Sequence, residues 1–424
     1  MGSTQNLPPS SSSSSSLPDA SSPSLILTRP TAQELARTWS LTHPMWGPAL
    51  SHDDYLKREL YLTTVPLAKD GGLSHWILTI ASQPPDQRPI LSSCESLRKM
   101  TISAPHADGA PLVDGVAHGI GSVFTDPQFR GRGYASRMMQ ELGRRLRRWQ
   151  VANTADMPDD IVDASDDPSK LGPQSLFSVL YSDIGKTFYA RSGWAPFESS
   201  HVAFPAVPGA ASGLEPQNGY RGARARAVGY HELAELCSAD EELLRAGLLA
   251  RRAKGGKGGG KTCVALLPSL DQLLWHLMRE DFMTKHIFGR TPAVKGAVYG
   301  DEVGRRVWAV WTRGYYGGLD KVEGNTLFIL RFVVEGVGDE KAYLREGVRA
   351  IVQIAQAEAA EWRSQDVQMW NPDERVRGLI EASGLKYEYV ERDKESITSL
   401  MWYGEGEGST EELDWVANEK YGWC

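Results

Sequence analysis

One run, Ser122-Val-Phe-Thr-Asp-Pro-Gln-Phe-Arg-Gly-Arg-Gly-Tyr-Ala-Ser-Arg-Met-Met139, limits what this chain can fold into more than any other. An apolar, β-leaning stretch over 120–125 stops at Pro127, Arg and Gly then alternate, and a helical pattern follows over 136–149. Strand, glycine-rich turn and helix in that order build an anion site. Gly131 and Gly133 let the main chain approach a ligand with no Cβ in the way. The helix beside them aims its unpaired N–H groups and positive dipole end at the same point. The expected ligand carries phosphate. It is not held by the dinucleotide pattern Gly-x-Gly-x-x-Gly, because Ser136 stands where the third glycine belongs.

A second segment bears on the same fold. Residues 176–183 read as a strand, and Gly185-Lys-Thr-Phe-Tyr-Ala-Arg-Ser-Gly-Trp194 as a short helix that ends at a glycine. The turn Arg130-Gly-Arg-Gly-Tyr-Ala135 has the form Arg-x-x-Gly-x-Ala and resembles the pyrophosphate-binding motif of the GNAT superfamily of acetyl-CoA-dependent N-acetyltransferases. The Phe-Tyr-x-x-x-Gly-Trp cadence resembles the second half of that fold. Ser93-Cys-Glu-Ser-Leu-Arg-Lys99, His118-Gly-Ile-Gly-Ser-Val-Phe124 and Leu180-Tyr-Ser-Asp-Ile-Gly-Lys186 narrow the resemblance to the fungal lysine N-acetyltransferase family, from about residue 25 onward. The resemblance implies an α/β (α+β) GNAT fold, a mixed central sheet with flanking helices. It implies acetyl-CoA as cosubstrate, no metal, and free L-lysine acetylated on its side-chain amine, as in lysine degradation. Arg130, Gly131, Arg132, Gly133, Tyr134 and Ala135 would hold the CoA pyrophosphate, and Tyr189 would protonate the leaving thiolate.

The whole chain sets outer limits. Its 424 residues suit two domains, each with chain enough for a core. A net charge of -7 leaves no basic excess for nucleic acid as the main partner. Cys94, Cys237, Cys263 and Cys424 show no Cys-x-x-Cys spacing, so neither a zinc site nor a disulfide framework is expected, and a reducing compartment fits. No run approaches the roughly 18 apolar residues of a membrane helix. The Ser- and Pro-rich residues 1–24 show no targeting signal and read as a disordered tail. A cytoplasmic protein without a membrane partner is expected; oligomeric state is not legible.

Along the chain, strands are expected at 25–28, 73–80, 90–103 and 116–125, with helices opening at the capping box Thr31-Ala-Gln-Glu34 and over 53–62. An Asp-rich insertion over 151–172 reads as a solvated loop, or else as a lid over a cationic substrate. The first domain is expected over 25–205, a Gly/Pro-rich linker over 206–224, and a second domain over 225–424. That second half expects helices at 230–236, 241–254, 342–363 and 374–382, and strands at 294–299, 307–312, 327–334, 366–370 and 385–389. The order echoes the first half without its arginine-glycine turn, and implies a degenerate GNAT-like domain that supplies substrate walls. Gly255-Gly-Lys-Gly-Gly-Gly-Lys-Thr262 matches a P-loop only in letters, since a helix precedes it and a strand follows.

Acetyl transfer to an amine needs a base, because an ammonium of pKa ~10 must lose a proton before it attacks. Glu95 and His118 stand equal for that role, with Asp183 behind them. An oxyanion donor is expected among the backbone N–H groups of Val123, Phe124 and Thr125. Cys94 reads as a buried thiol rather than a nucleophile, since direct transfer needs none. Arg313 and Arg331 are conceivable anchors for a substrate carboxylate. The alternatives are a protein-lysine or polyamine acetyltransferase, or a CoA-binding regulator without turnover.

Overall fold

The computed structural model describes residues 17–107, 109–151, 175–209, 225–254, 260–336, 341–404 and 410–424. The chain opens with β1 (Leu25–Thr28), α1 (Ala32–Trp46), α2 (His52–Leu62), β2 (Leu73–Ile80), β3 (Ser92–Ala104) and β4 (Val113–Phe124). The capping box is present: the Thr31 hydroxyl accepts from the Glu34 N–H at 3.1 Å, and Glu34 accepts from the Thr31 N–H at 2.9 Å. After the glycine turn come α3 (Tyr134–Leu146), β5 (Phe177–Ser182), the single turn α4 (Thr187–Ala190), β6 (Ala195–Pro196) and β7 (Ser200–Pro205).

The second half runs β8 (Ala225–Val228), α5 (Leu233–Lys254), β9 (Thr262–Leu266), α6 (Leu270–Phe288), β10 (Gly296–Tyr299), β11 (Val307–Tyr315) and β12 (Asn325–Val334). It continues with α7 (Lys341–Glu361), β13 (Asp366–Trp370), α8 (Glu374–Ala382), β14 (Glu388–Glu391), β15 (Ile397–Trp402) and β16 (Leu413–Trp415). The two helices expected over 230–236 and 241–254 are one, α5. The P-loop look-alike is excluded by its surroundings, since Thr262 opens β9 rather than a helix.

Two mixed sheets carry the architecture, each with one parallel pair at its middle. The first has the order β1-β2-β3-β4-β5-β15-β6, with β4 and β5 parallel from Ala117–Phe177 to Ile120–Leu180. β9 adds to the far end of β3, and β16 pairs with β9. The second sheet has the order β14-β7-β13-β12-β11-β10-β8, with β12 and β13 parallel. Both are GNAT-like, so the fold class and the second, degenerate copy stand as expected.

The domain limits do not stand as expected. β7 precedes the expected linker yet lies between β13 and β14 of the second sheet. β15 comes near the end of the chain yet lies between β5 and β6 of the first. Each half therefore lends the other a strand at the equivalent place. Residues 17–24, expected as part of the tail, are also packed: Tyr134 Oη donates to Pro18 O at 2.6 Å, and Arg137 Nη1 to Ala20 O at 3.0 Å. The Ser-rich stretch 1–16, most of the Asp-rich insertion and residues 210–224 lie outside the described residues.

Packing follows the sheets. Met138, Met139, Leu142 and Leu146 of α3 bury against Trp76, Leu78, Leu180 and Trp194. Val348, Ile351, Val352 and Ala355 of α7 bury against Val307, Ala309, Trp311 and Val367. A third cluster joins the halves through Phe177, Val179, Val264, Trp308, Val310, Leu330, Leu400 and Tyr421. Each such side chain contributes about 1.5–3 kcal/mol on burial. The shared cluster thus makes the halves mutually dependent.

α6 is the second tie. Ser269 caps it by accepting from the Gln272 N–H, and Gly289 ends it at φ 71°. Its fully buried Glu280 takes Lys295 Nζ at 2.6 Å, Arg313 Nη1 at 2.7 Å and the Arg313 N–H at 2.8 Å. That network fixes the rotation of the helix about its axis. A polypeptide of residues 17–209 is expected to show no cooperative thermal transition by circular dichroism, because β5 and β6 lack β15. Co-expression with residues 225–424 is expected to restore one; a cooperative transition in the short chain alone would contradict the exchanged-strand account.

Candidate active site

β4 and β5 stop pairing at Ile120 and Leu180. Beyond that point β4 carries one extra residue opposite Cys94, because Ser93 faces Phe124 while Glu95 faces Gly121. Ser122 absorbs the bulge at φ 52°, a conformation that costs a non-glycine residue about 1–3 kcal/mol and is met at functional sites. The strands diverge, and main-chain groups of Gly121–Thr125 have no β5 partner. Val123, Phe124 and Thr125 line the cavity that opens there, about 680 Å³ in volume.

The glycine turn closes one end of this cavity. Gly131 and Gly133 adopt φ of 76° and 82°, which side-chain-bearing residues rarely take. The first helical amide of α3 to find a partner is Arg137 N–H, which donates to Gly133 O, so the amides before it are free for an anion. Arg130, Gly131, Gly133, Tyr134 and Ala135 line the cavity. Arg130 is steadied by a bond from Nε to Thr125 O at 3.1 Å and by the Phe124 ring. The Tyr134 side chain is core, so only its amide faces a ligand. Arg132 is exposed and does not line the cavity.

Tyr189 and Glu95 meet in the same cavity. α4 ends at Ala190, and Gly193, φ 102°, closes the turn that follows, with Tyr189 kept inside, 8% exposed. Burial, then Cys94 and Asp183, push the Tyr189 phenol well above its ordinary value, so it keeps its proton throughout the working pH range. Glu95 projects from β3 directly across from Gly121, on the same face. Its Oε1 accepts from Ser122 Oγ at 2.8 Å, and His75 Nε2 lies 3.7 Å from Oε2, too far for a hydrogen bond. Burial, then Glu59, raise the Glu95 carboxyl to about 7. Burial and Arg29 lower His75 to about 4, so its ring stays neutral.

His118 is not in this cavity. Cross-strand partners share a face, and Glu95 pairs with Gly121 whereas His118 pairs with Arg98. The odd spacing from 118 to 121 turns the imidazole to the α3 side, where Nδ1 lies 3.2 Å from Ser175 Oγ and burial lowers the ring to about 3. Asp183 lines the cavity, but its Oδ1 accepts from the Ser396 N–H at 2.9 Å. Arg313 is bound to Glu280 and Glu358, and Arg331 to Asp240 and Glu419, so both expected anchors are internal ion pairs. Cys94 is buried and its thiol is pushed up, as a core cysteine.

The other wall came from elements that sequence reasoning did not assign: Trp275 and Arg279 of α6, Tyr316, and Trp423 with Cys424. Bare backbone on β4 makes room for them. A Cβ on Gly119 would sit 2.3 Å from Lys99 Cε and 2.8 Å from Cys424 Sγ. α6 had a readable start, since Ser269 and Gln272 stand at capping-box spacing. The matching cleft of the second half is smaller, about 260 Å³, and Glu419 reaches into it to accept from the Phe332 N–H at 3.0 Å where β12 leaves β13.

Residues 201–424 match the family model described as the LYC1 GNAT-like C-terminal domain. The chain belongs to this family. It is an acyltransferase of the GNAT type. A lysine acetyltransferase of Yarrowia lipolytica (strain CLIB 122 / E 150) is 28% identical over 305 residues, 66% of this chain and 70% of that protein. Among solved structures, a GCN5-related N-acetyltransferase from Kribbella flavida has 14% identity and a TM-score of 0.47, covering 89% of this chain and 71% of its own. One from Anabaena variabilis ATCC 29413 has 13% identity and a TM-score of 0.47, covering 90% and 73%.

The free amides at the turn, the diverging strands and the aromatic mouth fit acetyl-CoA as the family's cosubstrate. Among the described residues no helix is long and apolar enough to cross a membrane, and no cluster of His, Cys, Asp or Glu is placed to hold a metal. Gly133 sits at positive φ with its Cβ position 3.2 Å from Ala20 Cβ. Gly133→Glu is therefore expected to abolish acetyl-CoA binding in isothermal titration by bulk, strain and charge. Retained affinity would place the phosphate site elsewhere.

Proposed function

We propose that this chain transfers the acetyl group of acetyl-CoA to the side-chain amine of free L-lysine. The observation that carries the reading is one cavity holding the glycine turn, Tyr189 and a carboxyl with a pKa near neutrality, Glu95. The Yarrowia relative, named a lysine acetyltransferase, supports lysine as the acceptor.

Acetyl-CoA supplies an acyl carbon already activated as a thioester. The amides at residues 131–136 hold its pyrophosphate beside the dipole of α3. A backbone N–H among Val123–Thr125 donates to the carbonyl oxygen as it gains charge. Glu95, as the carboxylate, attracts the lysine ammonium and takes its proton, so that the neutral amine attacks. Ser122 Oγ orients that carboxylate. Tyr189, always protonated, donates to the sulfur as the thiolate leaves.

Thiol release from acetyl-CoA with L-lysine, followed by mass spectrometry, is expected to give lysine acetylated on the side-chain nitrogen. Higher turnover on a polyamine or a histone peptide would move the acceptor to those classes. CoA-dependent thermal stabilisation without thiol release from any amine would leave a binding protein. Glu95→Gln is expected to lower kcat/KM by about 10²–10⁴-fold. In the unaltered protein kcat/KM is expected to rise with pH through about 7, because only the ionised carboxylate accepts a proton; the variant loses that limb. Tyr189→Phe is expected to lower kcat while the acetyl-CoA Kd stays near its starting value.

A further inference from the structure

Lysine differs from a simple diamine by its carboxylate, and a carboxylate taken into an enclosed cavity needs a cation to meet it. Three arginines line the cavity: Arg58, Arg130 and Arg279. Arg58 is spent. Its Nε and Nη2 donate to Glu59 Oε1 at 2.9 Å and 2.6 Å, and its Nη1 donates to Trp46 O at 3.0 Å. Arg130 belongs to the phosphate turn. Arg279 makes no hydrogen bond or ion pair with any described residue; its guanidinium lies 5.7 Å from the centre of the Trp423 ring.

Resting on the acetyltransferase reading above, we infer that Arg279 is the anchor for the acceptor's carboxylate, so that the second half of the molecule selects amino acids over simple amines. The placement of Arg279 follows from its neighbour. Glu280 is locked inward by Lys295 and Arg313, which turns Arg279 and Trp275, one helical turn apart, toward the cavity. Gln272 Nε2 and His276 Nε2, on the same helix, both lie within hydrogen-bond reach of Tyr421 O, at 2.6 Å and 2.9 Å, which brings Trp423 beneath the guanidinium. A guanidinium held over an indole by a cation–π contact keeps its N–H groups open for two carboxylate oxygens. Glu95 stands on the first sheet and Arg279 on α6, and Glu59 is held in an ion pair with Arg58. The cavity therefore holds a carboxyl for the ammonium and a guanidinium for the carboxylate.

The test compares L-lysine with L-lysinamide, which keeps both amines and loses only the negative charge. The unaltered protein is expected to favour lysine in kcat/KM. Arg279→Gln is expected to lower the lysine-to-lysinamide ratio of kcat/KM by about 10- to 100-fold, the worth of a charge-assisted hydrogen bond. The loss is expected in the KM for lysine more than in kcat, with the acetyl-CoA KM as the internal reference. Arg279→Lys, which retains the charge without the fork, is expected to recover part of the ratio. It also serves as the second reading should the glutamine variant fail to fold. An unchanged ratio in both variants, or equal use of the two amines by the unaltered protein, overturns the inference and leaves the acetyltransferase reading intact. Acetylation of neither amine overturns the lysine reading and this inference with it.

Discussion

The exchange of one strand between the halves is the constraint on which the molecule depends. β5 closes against β15, which the chain delivers only after the second sheet is nearly complete, and β13 closes against β7, which the chain spends before the second sheet begins. Neither sheet is whole without the other half's strand. The interior that results is shared, with Phe177 and Val179 from one sheet meeting Trp308 and Leu330 from the other. That mutual burial allows α6 and the segment after β16 to be held over the first sheet as part of its active-site wall.

The same arrangement divides labour. The first half holds diverging parallel strands, free amides at the glycine turn and a phenol whose pKa burial raises. The second half has the same divergence around a smaller cavity, where Glu419 takes the Phe332 N–H and pairs with Arg331. The buried ion pairs of the second half, Glu280 with Lys295 and Arg313 above all, give orientation to α6 rather than net stability.

What was legible in the sequence was local. The turn could be read because Gly131 and Gly133 carry the backbone geometry themselves, and Tyr189 because Gly193 closes the turn after its helix. β13 and α8 lie at the residues their patterns predict. The choice between Glu95 and His118 was not legible, because it turns on a cross-strand register and on a bulge at Ser122 that no residue type announces. Arg313 and Arg331 showed their charge but not their partners, which lie far away in sequence on α6, α7, α5 and the final segment. The exchanged strands were hidden for a related reason. Alternation along β15 tells which face is buried and says nothing of which sheet receives it.

The exchange also governs how this polypeptide can leave the ribosome. Ser182 on β5 waits for Ile397, made roughly 200 residues later. Until then β5 and β6 present open edges of the kind that recruit stray strands from other nascent chains. The first half emerges first but matures last. Glu95, Tyr189 and the glycine turn are all translated well before the wall that completes their cavity, so a ribosome that stalls in the second half releases a fragment that carries these residues and no enclosed cavity.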